Sequence, residues 1–166
     1  AGHKGDAKMH QAMANLGKAH VSEVWSYQGS KPFVSSGRLY AAMGDTISCT
    51  DMESEHIHWK KSIYQTENSE VELLDSQLTP PALAGGKVFV GTSQGDVLCL
   101  SQEQGDERWR VRLGDPVAFQ PVVVGGRVYA GTRSGKLFCL ETGDPQDDGW
   151  MMWGVTTVHN GIESSV

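Results

Sequence analysis

One stretch of this sequence is written three times over. Gly86–Leu100 reads GKVFVGTSQGDVLCL, and Gly126–Leu140 reads GRVYAGTRSGKLFCL at an offset of 40 residues. A more divergent copy begins at Gly37, 49 residues ahead of the second. Self-similarity with a period near 40 in β-rich sequence marks a propeller or a related repeat array. Each copy is then a small unit that cannot bury its apolar face alone, so the copies stack and share a core. This constrains the architecture far more than the activity.

Inside each copy apolar positions alternate and turn residues punctuate them, the pattern of short antiparallel strands. The third copy predicts strands at Gln120–Val124, Arg127–Gly131 and Lys136–Leu140. The second predicts Pro80–Ala84, Lys87–Gly91, Asp96–Leu100 and a fourth strand, Glu107–Leu113, that carries Trp109. The first predicts Pro32–Ser35, Arg38–Ala42, Thr46–Thr50 and His56–Ile63, with Trp59 at the matching place. Glycines such as Gly86 and Gly126 stand at hairpin corners, where positive φ is needed. Four short strands make one blade. The expected fold is all-β: an incomplete propeller-type array of about three four-stranded antiparallel blades, near residues 31–63, 79–113 and 119–153, within a repeat region at 21–153.

The flanking segments read differently. In residues 1–20, Met9, Met13 and Leu16 recur at helical spacing and predict a short N-terminal amphipathic helix over Ala7–Gly17. Residues 154–166 are a tail or the start of a further blade. Gln65–Asp75 lengthens the link between Trp59 and Pro81, as a solvated loop or a small elaboration on one face. Glu141–Gly149 carries Asp144, Asp147 and Asp148 without the residue order of an EF-hand loop, and reads as a solvated acidic turn.

Net charge is −6 with a pI near 5.4, and no basic run occurs. Nucleic acid and anionic membrane surfaces are therefore not expected partners, since both are bound through a basic face. No stretch approaches the roughly 20 apolar residues of a membrane helix, so membrane insertion is not expected either. The start, Ala1-Gly2-His3-Lys4, has no initiator Met and no apolar signal core, which fits a mature, processed or excerpted chain.

Cys49, Cys99 and Cys139 share one repeat position, and no C-x-x-C pair is present. Equivalent thiols in neighbouring blades lie too far apart for a shared metal or a disulfide, so packing is their expected role. His56 and His58 alternate on one strand and face one side. With Glu53 or Glu55 nearby they are candidate zinc or copper ligands. No third ligand is identified for them, so neither a metal nor a cofactor is expected. No nucleophile elbow, Ser-His-Asp spacing or P-loop occurs.

The run VLCLSQEQGDERW at Val97–Trp109 resembles the pyrroloquinoline-quinone-type (PQQ-like) β-propeller repeat, whose consensus is close to vYALDxxTGxxxW. Cys99 stands for the Ala, Leu100 for the Leu, Gly105 for the Gly and Trp109 for the Trp. The first copy keeps Asp51 and Trp59 but has Glu55 where the Gly belongs. The third keeps Cys139, Leu140, Thr142 and Gly143, with its Trp displaced to Trp150. The resemblance covers roughly residues 24–153. It implies that the Pro-bearing strand runs nearest the axis, that the Trp strand is outermost, and that the Trp docks between neighbouring blades. A docked Trp buries about 150–250 Å², worth about 4–6 kcal/mol gross. Trp25 precedes Pro32 much as Trp109 precedes Pro121, so it looks like the last strand of a blade whose earlier strands are missing or replaced.

Families of this kind include quinone-dependent dehydrogenases, outer-membrane assembly scaffolds and sensory or adhesive propellers, and fold alone does not choose among them. The resemblance implies that a quinone enzyme needs a closed ring whose funnel holds cofactor and calcium. Three blades cannot form one, and no adjacent cysteine pair is present. The expectation is a non-catalytic binding or scaffold module, part of a larger protein. Its expected partners are further blades of a longer chain or a second copy completing the ring, together with a protein or small ligand. The alternative is a fragment of a quinone-dependent dehydrogenase. The family resemblance favours a periplasmic or extracytoplasmic setting, whereas unpaired thiols oppose it.

Overall fold

The structure, a computed structural model, describes residues 32–64 and 77–149. The helix expected at Ala7–Gly17, Trp25, the Gln65–Asp75 segment, Trp150 and the tail fall outside those residues. Among the described residues there are eleven strands: β1 Phe33–Ser35, β2 Arg38–Met43, β3 Thr46–Asp51, β4 Ile57–Ser62, β5 Ala82–Ala84, β6 Lys87–Gly91, β7 Asp96–Ser101, β8 Glu107–Arg112, β9 Val122–Val124, β10 Arg127–Gly131 and β11 Leu137–Glu141. They form three antiparallel meanders: a four-stranded sheet in the order β1-β2-β3-β4, a four-stranded sheet β5-β6-β7-β8, and a sheet of β9-β10-β11. All three repeats are therefore blades of one plan. The fourth strand expected for the last of them falls at residues beyond Gly149, outside those described.

Local chemistry explains the meander. The β1–β2 corner is Ser36-Gly37, at φ +49° and +72°, and its equivalents Gly85-Gly86 and Gly125-Gly126 also lie in the left-handed region. Two successive positive φ values give the tight turn whose twist matches the strands. The third and fourth strands slip register at the same point in both complete sheets, between Cys49 and Thr50 and between Cys99 and Leu100. Such a bulge bends the outer strand and re-aims its side chains. Below it, Trp59 lies opposite Cys49 and Trp109 opposite Cys99.

The core lies between sheets, not within them. One cluster joins Tyr40, Ala42, Ile47, Cys49 and Trp59 of the first sheet to Leu78 and to Val88, Val90, Leu98 and Leu100 of the second. Another joins Ala82, Phe89, Val97 and Cys99 of the second to Val117 and to Val123, Val128 and Ala130 of the third. Alternate residues of β6 and β7 thus serve opposite neighbours, and all six residues of β7 are buried. A strand covered on both faces loses the apolar–polar alternation of a half-buried one, which is why VLCL runs unbroken. The first strands β5 and β9 of neighbouring sheets also approach each other.

Candidate functional site

Two seams and a cleft beside the second seam bring together polar and aromatic side chains from neighbouring sheets. At the first seam Trp59 is 7% exposed, and its ring lies over Gly105 of the next sheet. A Cβ at Gly105 would come within 2.5 Å of the indole, and Gly105 has φ +71°. A bare backbone in the left-handed region is thus required twice over. Trp59 Nε1 donates to the Gln102 carbonyl at 3.1 Å, and the Gln102 amide donates to the Tyr40 hydroxyl at 3.1 Å. The Lys61–Asp106 pair at 3.1 Å closes the outer rim.

The second seam is built differently at its rim. Trp109 packs against the second cluster, with its ring 6.0 Å from Phe89, as Trp59 lies 6.2 Å from Tyr40. Thr142 N–H donates to the Gly126 carbonyl as Gln102 N–H does to that of Gly86, so Pro145 takes the place of Gly105. Gly143, the motif's glycine, has open space around a Cβ among the described residues. Instead Lys87 Nζ meets both Asp144 and Asp147 at 2.6 Å, and the Asp147 side chain is 1% exposed. Gly126 N–H donates to the Asp147 carbonyl at 2.9 Å, and Asp147 Oδ1 lies where a Cβ at Gly85 would stand. Most of Glu141–Gly149 is exposed, as a solvated acidic turn would be, and the reading is corrected at Asp147, which is buried. A lysine reaching from the preceding sheet compensates the buried carboxylate, so the loop folds inward as a clamp.

The cysteines separate by position in the stack. Cys49 and Cys99 are buried and Cys139 is exposed, although all three hold one repeat position. Each faces the following sheet, and among the described residues nothing follows the third. Burial pushes the Cys99 thiol up to about 12. The rings of His56 and His58 meet edge to face at 5.6 Å, and His58 Nε2 lies 3.9 Å from Asp51 Oδ2. Among the described residues no group of three His, Cys, Asp or Glu side chains is arranged to hold a metal. Glu55 stands at φ +58°, so the first sheet keeps the glycine conformation without the glycine. Gly86 and Gly126 sit at the hairpin corners, as their sequence positions indicated. Among the described residues no helix is long and apolar enough to cross a membrane.

The cleft was not legible in the sequence. It opens between the second and third sheets with a volume of about 320 Å³, lined by Leu78, Val117, Ala118 and Phe119, with Gln77 and Arg133 on its polar side. Leu78 bridges to Thr92 and Val117 to Thr132, so equivalent backbone positions frame it. One signal pointed there: Thr79 lies two residues before Pro81, but its counterpart Ala118 lies three before Pro121. The extra length carries Phe119, which remains 47% exposed.

Comparison with known proteins agrees with the architecture. A family model described as outer membrane protein assembly factor BamB, a PQQ-type repeat family, matches residues 65–157. The chain belongs to this family. A BamB of Xanthomonas campestris pv. campestris is 27% identical over 132 residues, 70% of this chain. The chain spans about a third of that relative's length, 32%. Among solved structures, BamB from Moraxella catarrhalis superposes with a TM-score of 0.56 at 20% identity, covering 71% of this chain and 34% of that one. A europium-containing methanol dehydrogenase reaches the same TM-score, 0.56, at 19% identity, covering 70% of this chain and 23% of that one. Likeness at these identities establishes the propeller fold and says nothing of activity.

Proposed function

We propose that this chain is a non-catalytic scaffold segment of a longer BamB-like protein, offering a rigid set of blades to protein partners in outer-membrane protein assembly. The observation that carries this reading is the BamB family match across residues 65–157, which includes the second and third sheets. The seams support it. Trp59 serves as a wedge between blades, and Lys87 with Asp144 and Asp147 as a clamp, so the charged and aromatic side chains there hold sheet to sheet. Further blades of the longer protein, or a second copy, complete the ring.

The rival class is a quinone-dependent dehydrogenase, since such enzymes share the fold equally well. Two measurements on the full-length protein separate the two. Depleting it from its native cells is expected to lower the level of folded outer-membrane proteins. Supplying it with pyrroloquinoline quinone and calcium is expected to give no dye-linked oxidation of alcohols. Turnover in the second assay, or unchanged membrane proteins in the first, overturns the scaffold reading.

A further inference from the structure

We propose that the cleft between the second and third sheets is a docking site for a linear peptide, taking one aliphatic side chain against Leu78, Val117 and Ala118 and an adjoining carboxylate on Arg133. This deepens the scaffold reading by naming where and what it binds. At about 320 Å³ the cleft is at the small end of ordinary ligand sites, roughly 300–1,000 Å³. That suits a single side chain with its flanking backbone better than a large cofactor.

The walls are held in place from behind. Val117 is 5% exposed and sits against Gly91, where any Cβ would collide with its side chain. Leu78 is 4% exposed and belongs to the core cluster of the first seam. Backbone bonds from Thr79 N–H to Gly91, Val117 N–H to Thr92 and Ala118 N–H to Gly131 fix both rims to the sheets. Rigid walls of this kind lose little freedom when a ligand arrives. Phe119 rests on Gly131, yet is left half-exposed at the mouth. An exposed aromatic beside a concave apolar floor is the usual composition of a binding hot spot.

Charge selects the occupant. The Arg133 guanidinium forms no ion pair with any described residue, while its backbone N–H is bonded to the Pro116 carbonyl. Asp115, on the same edge, accepts hydrogen bonds from the hydroxyls of Thr132 and Ser134 and makes no ion pair with Arg133. A planar cation over an apolar floor favours a carboxylate next to an aliphatic group, and guanidinium matches carboxylate geometry in a two-pronged pair.

The test uses two small probes that differ only in that group. N-acetyl-L-leucine and N-acetyl-L-leucinamide are titrated into the isotope-labelled chain while backbone amide shifts are followed. The carboxylate probe is expected to move Thr79, Ser93, Ala118 and Arg133, and to bind about fivefold more tightly than the amide, the scale of one partly exposed ion pair. Arg133→Gln is expected to abolish that difference, with the amides of β6 and β7 unmoved as evidence of an intact fold. Equal binding of both probes, shifts centred elsewhere, or absence of binding overturns the proposal. So do probe-free shifts of the same amides that grow with protein concentration, which would assign the cleft to a second copy. None of these outcomes bears on the depletion and turnover assays, so the cleft can fail while the scaffold reading stands.

Discussion

Gly105 and Glu55 hold the same place in successive repeats and adopt the same left-handed backbone, yet Gly105 lies under an indole while Glu55 carries a side chain that would exclude one in that geometry. Opposite responses to substitution follow. Gly105→Ala is expected to lower stability by about 2–5 kcal/mol, combining about 1–2 for a Cβ in the left-handed region with about 1–3 for overpacking. Glu55→Gly is expected to raise it by about 0.5–1 kcal/mol, because relief of the strained backbone exceeds the entropic cost of glycine. Urea unfolding of the two variants beside the parent chain checks both signs. A neutral Gly105→Ala would mean that Trp59 is not seated there. Trp59, Gly105 and Glu55 were readable in the sequence as repeat positions, while the docking of the indole between blades was only what the family resemblance implied. The reading lacked the direction in which Trp59 points, which depends on the bulge after Cys49.

At the level of strands and loops, legibility fell with sequence distance. Hairpins of the meander were visible because their signals, a Gly pair between alternating runs, are local. The clamp was not, because Lys87 meets Asp144 and Asp147 across 57 and 60 residues, and no periodicity links them. Its pH behaviour has two limits. The Lys87 hydrogen bond, with the Gln146 N–H, holds the Asp144 carboxyl below its ordinary 3.8. That contribution is complete above pH 3.8 and is lost as pH falls through the lowered value. Burial opposes the Lys87 charge, but hydrogen bonds to Asp144 and Asp147 outweigh it and raise the ammonium above 10.5. This contribution is complete below pH 10.5 and is lost as pH rises through the raised value. Lys87→Met is expected to cost about 3 kcal/mol at pH 7, since it strands the buried Asp147. The gap between variant and parent should narrow in strong acid, measured by urea unfolding at pH 7 and again below pH 3. An equal gap at both pH values would remove the ionic role.

Across the whole array, the two outer faces differ. The first sheet turns Leu39, Ala41, Ser48 and Thr50 away from its neighbour, all half-buried. The third turns Leu137 and Cys139 outward, at the positions where Ile47 and Cys49, then Val97 and Cys99, pack on a following sheet. Leu137 is 73% exposed. The 166-residue chain is therefore expected to self-associate through this face at about 10–100 µM, within the range where exposed apolar surface drives assembly. Leu137→Lys should suppress the association without altering the circular dichroism, and sedimentation velocity reads it directly. A chain that stays monomeric would mean that another part of it lies over the third sheet. The number of blades in a complete array was not legible, because each unit's pattern is satisfied by its immediate neighbours alone. The unlike rims of the seams add a consequence of their own. The first joint leans on an indole over bare backbone and has only one exposed ion pair at its edge, whereas the second relies on a lysine gripping two carboxylates, one of them buried. Acidification should therefore loosen the joint between second and third leaves more than the one before it, giving the stack a preferred place to part.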